Sequence, residues 1–203
     1  MLRYRIHEID PERDLPTLHA KVLRLPEWRR RKALSYIHAI DRLQSALAYD
    51  LIADLLLQEC GLLPDAFEMR YDELGKPFLI HSTTGGHPHS EKPIEGIYIS
   101  LSHCEQAVMA VVSDKPVGCD TEGIPGSDDF HDIMDYCYTD GERHAVESAA
   151  TPAAEFTRIW TAKEALFKLD NTLLLEHLDT IHLPTGQIKS LHFPFFIASI
   201  ASI

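Results

Sequence analysis

A chain of 203 residues with 45% hydrophobic and 25% charged residues has the composition of an ordinary globular protein, long enough for one large domain or two small, tightly joined ones. Its 31 acidic against 19 basic residues give a formal charge of −12, which argues against nucleic-acid binding and requires any anionic ligand to be held by a local basic cluster. Cys60, Cys104, Cys119 and Cys137 are scattered without a CxxC pair, which favours reduced thiols in a cytoplasmic protein over a disulfide framework or zinc site, and no apolar run reads as a signal core or a membrane span.

In chain order, Leu2, Tyr4 and Ile6 alternate with polar residues and predict a strand ending at Asp10-Pro11. Residues 26–60 read as helical up to Gly61, a C′ glycine, with Leu43, Leu47, Leu51 and Leu55 forming a buried ridge. The first half of that helix carries Arg29, Arg30, Arg31 and Lys32, with Arg42 slightly later; this is the densest basic cluster of the chain, and a solvated face explains it as well as an anion site does. Residues 67–71 alternate like a strand, Gly75-Lys76-Pro77 reads as a turn, and residues 78–80 form a short second strand. Residues 81–93 are turn-forming throughout, and their His87 and His89 read as solvated surface rather than a metal site. Strands over 97–101 and 107–112 follow, with Ser102 and His103 at the tip between them.

Residues 117–122 form the next strand, in which Val117, Cys119 and Thr121 face one way and Gly118, Asp120 and Glu122 the other. Two carboxylates on one strand face repel unless a cation lies between them, and hard oxygen ligands at this spacing suit Mg²⁺. Gly118 on the same face would let a backbone approach a ligand closely. Residues 128–150 are acidic and helical in character, with Thr139 or Asp140 placed as a cap and Phe130, Ile133, Met134 and Tyr138 interleaved with aspartates; this segment reads equally as a partner-binding surface or as a helix packed on its own lobe. Thr151 and Pro152 open a helix in which Phe156, Ile159, Trp160, Leu166 and Phe167 form an apolar stripe. Lys163 falls inside that stripe, where a core helix would carry Leu or Ala, and Glu164 and Lys168 lie one turn apart along its edge. Strands are expected over 181–183 and 188–193, and the apolar terminus FPFFIASIASI as a closing strand.

These pieces, taken together, resemble the 4′-phosphopantetheinyl transferase superfamily in its longer, surfactin-synthetase-activating class. VGCDTE at Val117–Glu122 resembles the family's VGIDIE strand, and WTAKEALFK at Trp160–Lys168 its WxxKEAxxK helix. ISLSHC at Ile99–Cys104 is similar to its NISHS hairpin, Gly75-Lys76-Pro77 to its GKP turn, and the segment from Arg29 to Arg42 to its early basic helix.

The resemblance implies an α+β fold of two similar lobes, a pseudodimer of antiparallel sheets packed with helices, divided into residues 1–115 and 116–203 with the active site in the cleft between them. It implies transfer of the 4′-phosphopantetheine group from coenzyme A to a serine of an apo acyl or peptidyl carrier protein, with release of 3′,5′-ADP. Asp120, Glu122 and Glu164 would hold Mg²⁺, and Glu164 would take the serine proton. Lys163 and Lys168 would neutralise the phosphates, Lys168 nearest the transferred one. Lys76, Ser102 and His103 would hold other phosphate oxygens, with Arg29 and Arg42 near the 3′-phosphate. The partners implied are coenzyme A and the carrier protein, without nucleic acid or membrane, for a cytoplasmic monomer. The chain departs from the family pattern after Lys168, where residues 169–173 contain no glycine, and at Ser100, where the family often has Asn. The alternative from another class is a non-catalytic relative that binds coenzyme A or a carrier protein.

Overall fold

The alternation of Leu2, Tyr4 and Ile6 becomes strand β1 (Leu2–Glu8), antiparallel to a strand far along the chain. The computed structural model describes residues 1–82, 92–126, 130–170, 183–184 and 186–203. His87, His89 and the predicted strand at 181–183, apart from Leu183, lie outside them, as do Asp128 and Asp129. Beyond β1 come two short helices that the sequence reading did not find, α1 (Pro11–Asp14) and α2 (Leu18–Arg24), separated by a 3-10 turn at Leu15–Thr17. Asp10 caps α1 through the backbone N–H groups of Glu12 and Arg13.

The single helix expected over 26–60 is two, α3 (Glu27–Leu34) and α4 (Ala39–Cys60). The Ser35 hydroxyl donates to Lys32 O at the end of α3, and the bend that follows folds α3 back against α4. There the Arg29 guanidinium donates to Ser45 O at 3.3 and 2.8 Å. Gly61 ends α4 at φ 65°, the left-handed region a C′ glycine supplies without strain. Leu43, Leu47 and Leu55 of the predicted ridge are buried.

Strands β2 (Phe67–Tyr71) and β3 (Pro77–His81) form a hairpin. The Asp72 carboxylate accepts the N–H groups of Leu74 and Lys76, and Gly75 sits at φ 83°, so the turn holds Lys76 in a fixed direction. Strands β4 (Tyr98–His103) and β5 (Ala107–Ser113) join β1 in an antiparallel sheet of order β1-β5-β4. Strand β6 (Val117–Gly123), β7 (Ile188–His192) and β8 (Phe196–Ser202) form a second antiparallel sheet of order β6-β8-β7. The expected closing strand is therefore β8, in the middle of its sheet. Between β6 and β7 come α5 (His131–Cys137), α6 (Asp140–Ser148) and α7 (Pro152–Leu169).

The two three-stranded sheets meet through Met109, Val111, Val117, Cys119, Ala198 and Ile200. Their outer faces are covered by α4 and by α7 respectively. The observed class is thus α+β with antiparallel sheets. No helix among the described residues is long and apolar enough to cross a membrane.

Candidate active site

In β6 the period of two buries Val117, Cys119 and Thr121 toward the first sheet and turns Gly118, Asp120 and Glu122 toward α7. The space at Gly118, expected to serve a ligand, is taken by that helix. A β-carbon there would lie 2.1 Å from Ala165 O and 2.5 Å from Leu169 N. Glycine lets the backbone of α7 reach the strand, and this closeness brings the last turn of the helix beside Asp120.

Asp120 is 3% exposed. Its Oδ1 accepts from Lys168 Nζ at 2.6 Å and from Ser102 Oγ at 2.8 Å, while its Oδ2 is buried with no hydrogen-bond partner among the described residues. Ser102 Oγ also accepts the Thr121 N–H at 3.2 Å, and Ser100 Oγ accepts the Cys119 N–H at 2.9 Å. Two serines of β4 therefore tie the edge of one sheet to the edge of the other. Ser102 and His103 belong to β4 itself, not to the tip of the hairpin as expected. The strand extends because His103 still pairs with Val108, and the turn closes only at Cys104, whose N–H meets Ala107 O.

Three carboxylates share this region. Burial, and then the charge of Asp120, push Glu122 up to about 7. Burial followed by Asp120 also raises Glu164. Burial works against the charge on Lys168, but Asp120, with Cys119 and Glu164, together outweigh it and hold the ammonium above its ordinary pKa. Among the described residues no three His, Cys, Asp or Glu side chains are already gathered as a finished metal site. The open Asp120 Oδ2 and the mutual repulsion of the carboxylates nevertheless suit a hard cation.

Beside them is a cavity of about 310 Å³ lined by Arg29, Lys76, His103 and Lys168, with Tyr36, Tyr71 and Phe167. Four basic side chains from four elements or turns meet here in an acidic protein. Arg29 is 5% exposed, with its Nη1 3.4 Å from Tyr71 Oη. Lys76 Nζ donates to Leu169 O at 2.8 Å, at the end of α7, and burial lowers its pKa. His103 keeps part of its surface open, but the crowding protein and then the Lys168 charge lower its pKa. Phe167, expected in the apolar stripe, is half-buried in the cavity wall.

Other predicted residues lie elsewhere. Arg42 Nε donates to Tyr36 O at 2.8 Å, and Arg42 is not in the cavity wall. Ser102 stands behind the cavity, holding Asp120. Lys163 turns away from the site altogether. It is fully buried, with Nζ 2.9 Å from Glu142 Oε2 and 5.7 Å from the centre of the Tyr138 ring. Sequence reading placed Thr139 or Asp140 as a cap but missed Glu142 as the partner of Lys163; in the structure Glu142 also closes a capping box with Thr139.

Residues 116–197 match the family model of the 4′-phosphopantetheinyl transferase superfamily. Over 105 residues the chain is 35% identical to proteins named 4′-phosphopantetheinyl transferase AcpT from Salmonella typhi and Salmonella typhimurium, covering 50% of this chain and 48% of each of those. Over 135 residues it is 27% identical to 4′-phosphopantetheinyl transferase gsp of Aneurinibacillus migulanus, covering 66% of this chain and 50% of that protein. The chain thus spans about half the length of the curated relatives it matches. Residues 116–197, which hold β6 and α7, are thus similar to the 4′-phosphopantetheinyl transferase superfamily.

Proposed function

We propose that the protein transfers the 4′-phosphopantetheine group of coenzyme A to a serine of an apo acyl or peptidyl carrier protein. The observation that carries this reading is the meeting of Asp120, Glu164 and Lys168, inside the matched segment, with a cavity walled by Arg29, Lys76 and His103 from outside it. In the same proposal residues 1–115 and 116–203 are two similar lobes, each a three-stranded antiparallel sheet backed by one long helix, and the site lies in the cleft between them.

The serine oxygen forms a bond to the phosphorus that carries the pantetheine arm, the bond from that phosphorus to the bridging oxygen breaks, and 3′,5′-ADP leaves. The serine proton passes to Glu164 or to a water that Glu164 orients; its burial and the nearby Asp120 charge favour that role by raising its pKa. Lys168 faces the phosphate being transferred, and Asp120 holds it there. Arg29, Lys76 and His103 bind the remaining phosphates, with Arg42 behind them at Tyr36. Asp120, Glu122 and Glu164 would hold Mg²⁺, which when bound supplies positive charge to the phosphate oxygens. Lys163 is left out of the phosphate set, because its ammonium is enclosed with Glu142. The proposed setting is a cytoplasmic monomer.

Incubation with coenzyme A, Mg²⁺ and a panel of apo carrier proteins, followed by mass spectrometry, tests the reading. A carrier gaining one phosphopantetheine is the expected result. Binding of coenzyme A without transfer to any carrier would favour the non-catalytic alternative.

A further inference from the structure

Lys163 and Glu164 are consecutive residues of α7 that point to different neighbours. Glu164 senses the Asp120 charge on the β6 side, whereas Lys163 enters a shell made by the junction of α5 and α6. That junction is itself tightly defined. Glu142 Oε2 accepts the Thr139 N–H at 2.8 Å while pairing with Lys163, so one carboxylate both caps α6 and receives the lysine. The Tyr138 hydroxyl donates to Phe156 O of α7 at 2.6 Å, and Arg143 donates to Tyr138 O at 2.7 Å.

Other directional contacts of α7 are the buried Thr161–Ser199 hydroxyl hydrogen bond at 2.8 Å, the Lys76 bond to Leu169 O and the Lys168–Asp120 pair itself; the packing around them is apolar. Phe130, Met134, Val146, Phe156 and Ile159 form an apolar cluster on one side, and Ala165, Leu166, Leu169 and Ala201 another. Apolar contacts resist separation but are non-directional, so they set the turn of a helix about its axis only loosely. A side-chain tip about 5–6 Å from a helix axis moves about 1 Å for each 10° of rotation. A misplacement of about 1 Å at reacting groups costs on the order of a hundredfold in rate. A buried ion pair adds little net stability over apolar residues of similar volume, so its use here points to orientation.

We propose that Glu142 is a positioning residue: by holding Lys163 it fixes the rotation of α7 and so sets Glu164 and Lys168 against Asp120. The proposal rests on the transferase reading for its consequence in rate but not for its geometry. The test uses Glu142→Gln, Lys163→Met and the double variant of the full chain, with melting temperature, kcat and KM for coenzyme A, and crystal structures of parent and double variant. Glu142→Gln removes the carboxylate charge that faces the lysine at 2.9 Å and should lower both melting temperature and kcat. The double variant should regain the melting temperature while kcat stays at least about tenfold down, as expected of lost positioning, with KM for coenzyme A within about twofold. Its structure should show the Lys168 Nζ to Asp120 Oδ1 contact, 2.6 Å in the parent, lengthened or lost. Full recovery of kcat with melting temperature, or an unmoved Lys168 in the double variant, overturns the proposal. A large rise in KM for coenzyme A in Lys163→Met alone also overturns it, by making Lys163 a ligand-binding group. If the parent transfers nothing, the transferase reading falls, and the Lys168–Asp120 contact in the two crystal structures still decides the positioning.

Discussion

Gly118 and Asp14 show how single residues in this protein are committed by what surrounds them. Gly118→Ala would drive a β-carbon into the Ala165 carbonyl, a backbone atom held by its own helix. We expect a loss of about 1–3 kcal/mol or more from such overpacking, read by urea denaturation, together with a fall in transfer as α7 is pushed from Asp120. Asp14 is nearly buried and accepts Arg13 Nε at 3.0 Å, Arg13 Nη2 at 2.9 Å, the His7 ring at 3.0 Å and the Asp10 N–H at 2.9 Å. The Arg13 hydrogen bonds first, then His7, hold its carboxyl well below the ordinary value of 3.8. Because the folded pKa is the lower one, the ionised form stabilises the fold at all pH above that ordinary value, and the contribution is lost as pH falls from there through the folded pKa. Asp14→Asn should therefore cost about 1.5–3 kcal/mol at neutral pH, the range for hydrogen bonds to charged groups, and flatten the acid limb of stability against pH. An unchanged acid limb would assign that slope to other carboxylates. Asp120→Asn, in contrast, should abolish transfer and any rise of melting temperature with Mg²⁺.

The elements were legible where a pattern was local, and obscure where a partner was distant. The period of two in Val117–Glu122 and the helical period after Pro152 are written into neighbouring residues, so β6 and α7 were found with bounds within one residue of those observed. Short α2 has too few residues to declare a period, and the bend between α3 and α4 depends on packing rather than on a Gly or Pro. The lysine in the apolar stripe of α7 was visible as an anomaly, but its answer, Glu142, lies on another helix. The space beside Gly118 likewise required knowing which element arrives there. In α5 the mixed pattern left two readings open, and the structure divides them. Phe130, Met134 and Tyr138 are core, while Ile133 is 41% and Tyr136 81% exposed. Met134→Ala should lower stability by about 2–5 kcal/mol, whereas Ile133→Ser should leave melting temperature nearly unchanged. Equal effects of the two would mean that α5 packs differently.

For the molecule as a whole, the acidic charge and the basic cavity pull in opposite directions. A polyanion approaches an overall negative body and must find a wall where Arg29, Lys76, His103 and Lys168 are gathered. The rest of the early basic run is occupied otherwise: Arg30 donates to Leu25 O, Arg31 pairs with Glu27, and Lys32 lies over the Tyr36 ring. Coenzyme A should bind more tightly than dephospho-coenzyme A, by a margin that shrinks as salt rises. Equal affinities, measured by calorimetry, would remove the 3′-phosphate from this wall and leave the assignment of the remaining phosphates standing.

The place of β8 between β6 and β7 has a consequence for how the protein is made. On the ribosome, β4 and β5 emerge as neighbours and can pair at once, whereas β6 leaves the tunnel with its partner still untranslated behind three helices. Until β8 arrives, β6 can reach Ser100 and Ser102 of β4 but lacks the strand that pairs with it along its length. Products that stop before β8 are therefore expected to leave β6 without its hydrogen-bonded neighbour and the charged site without its support.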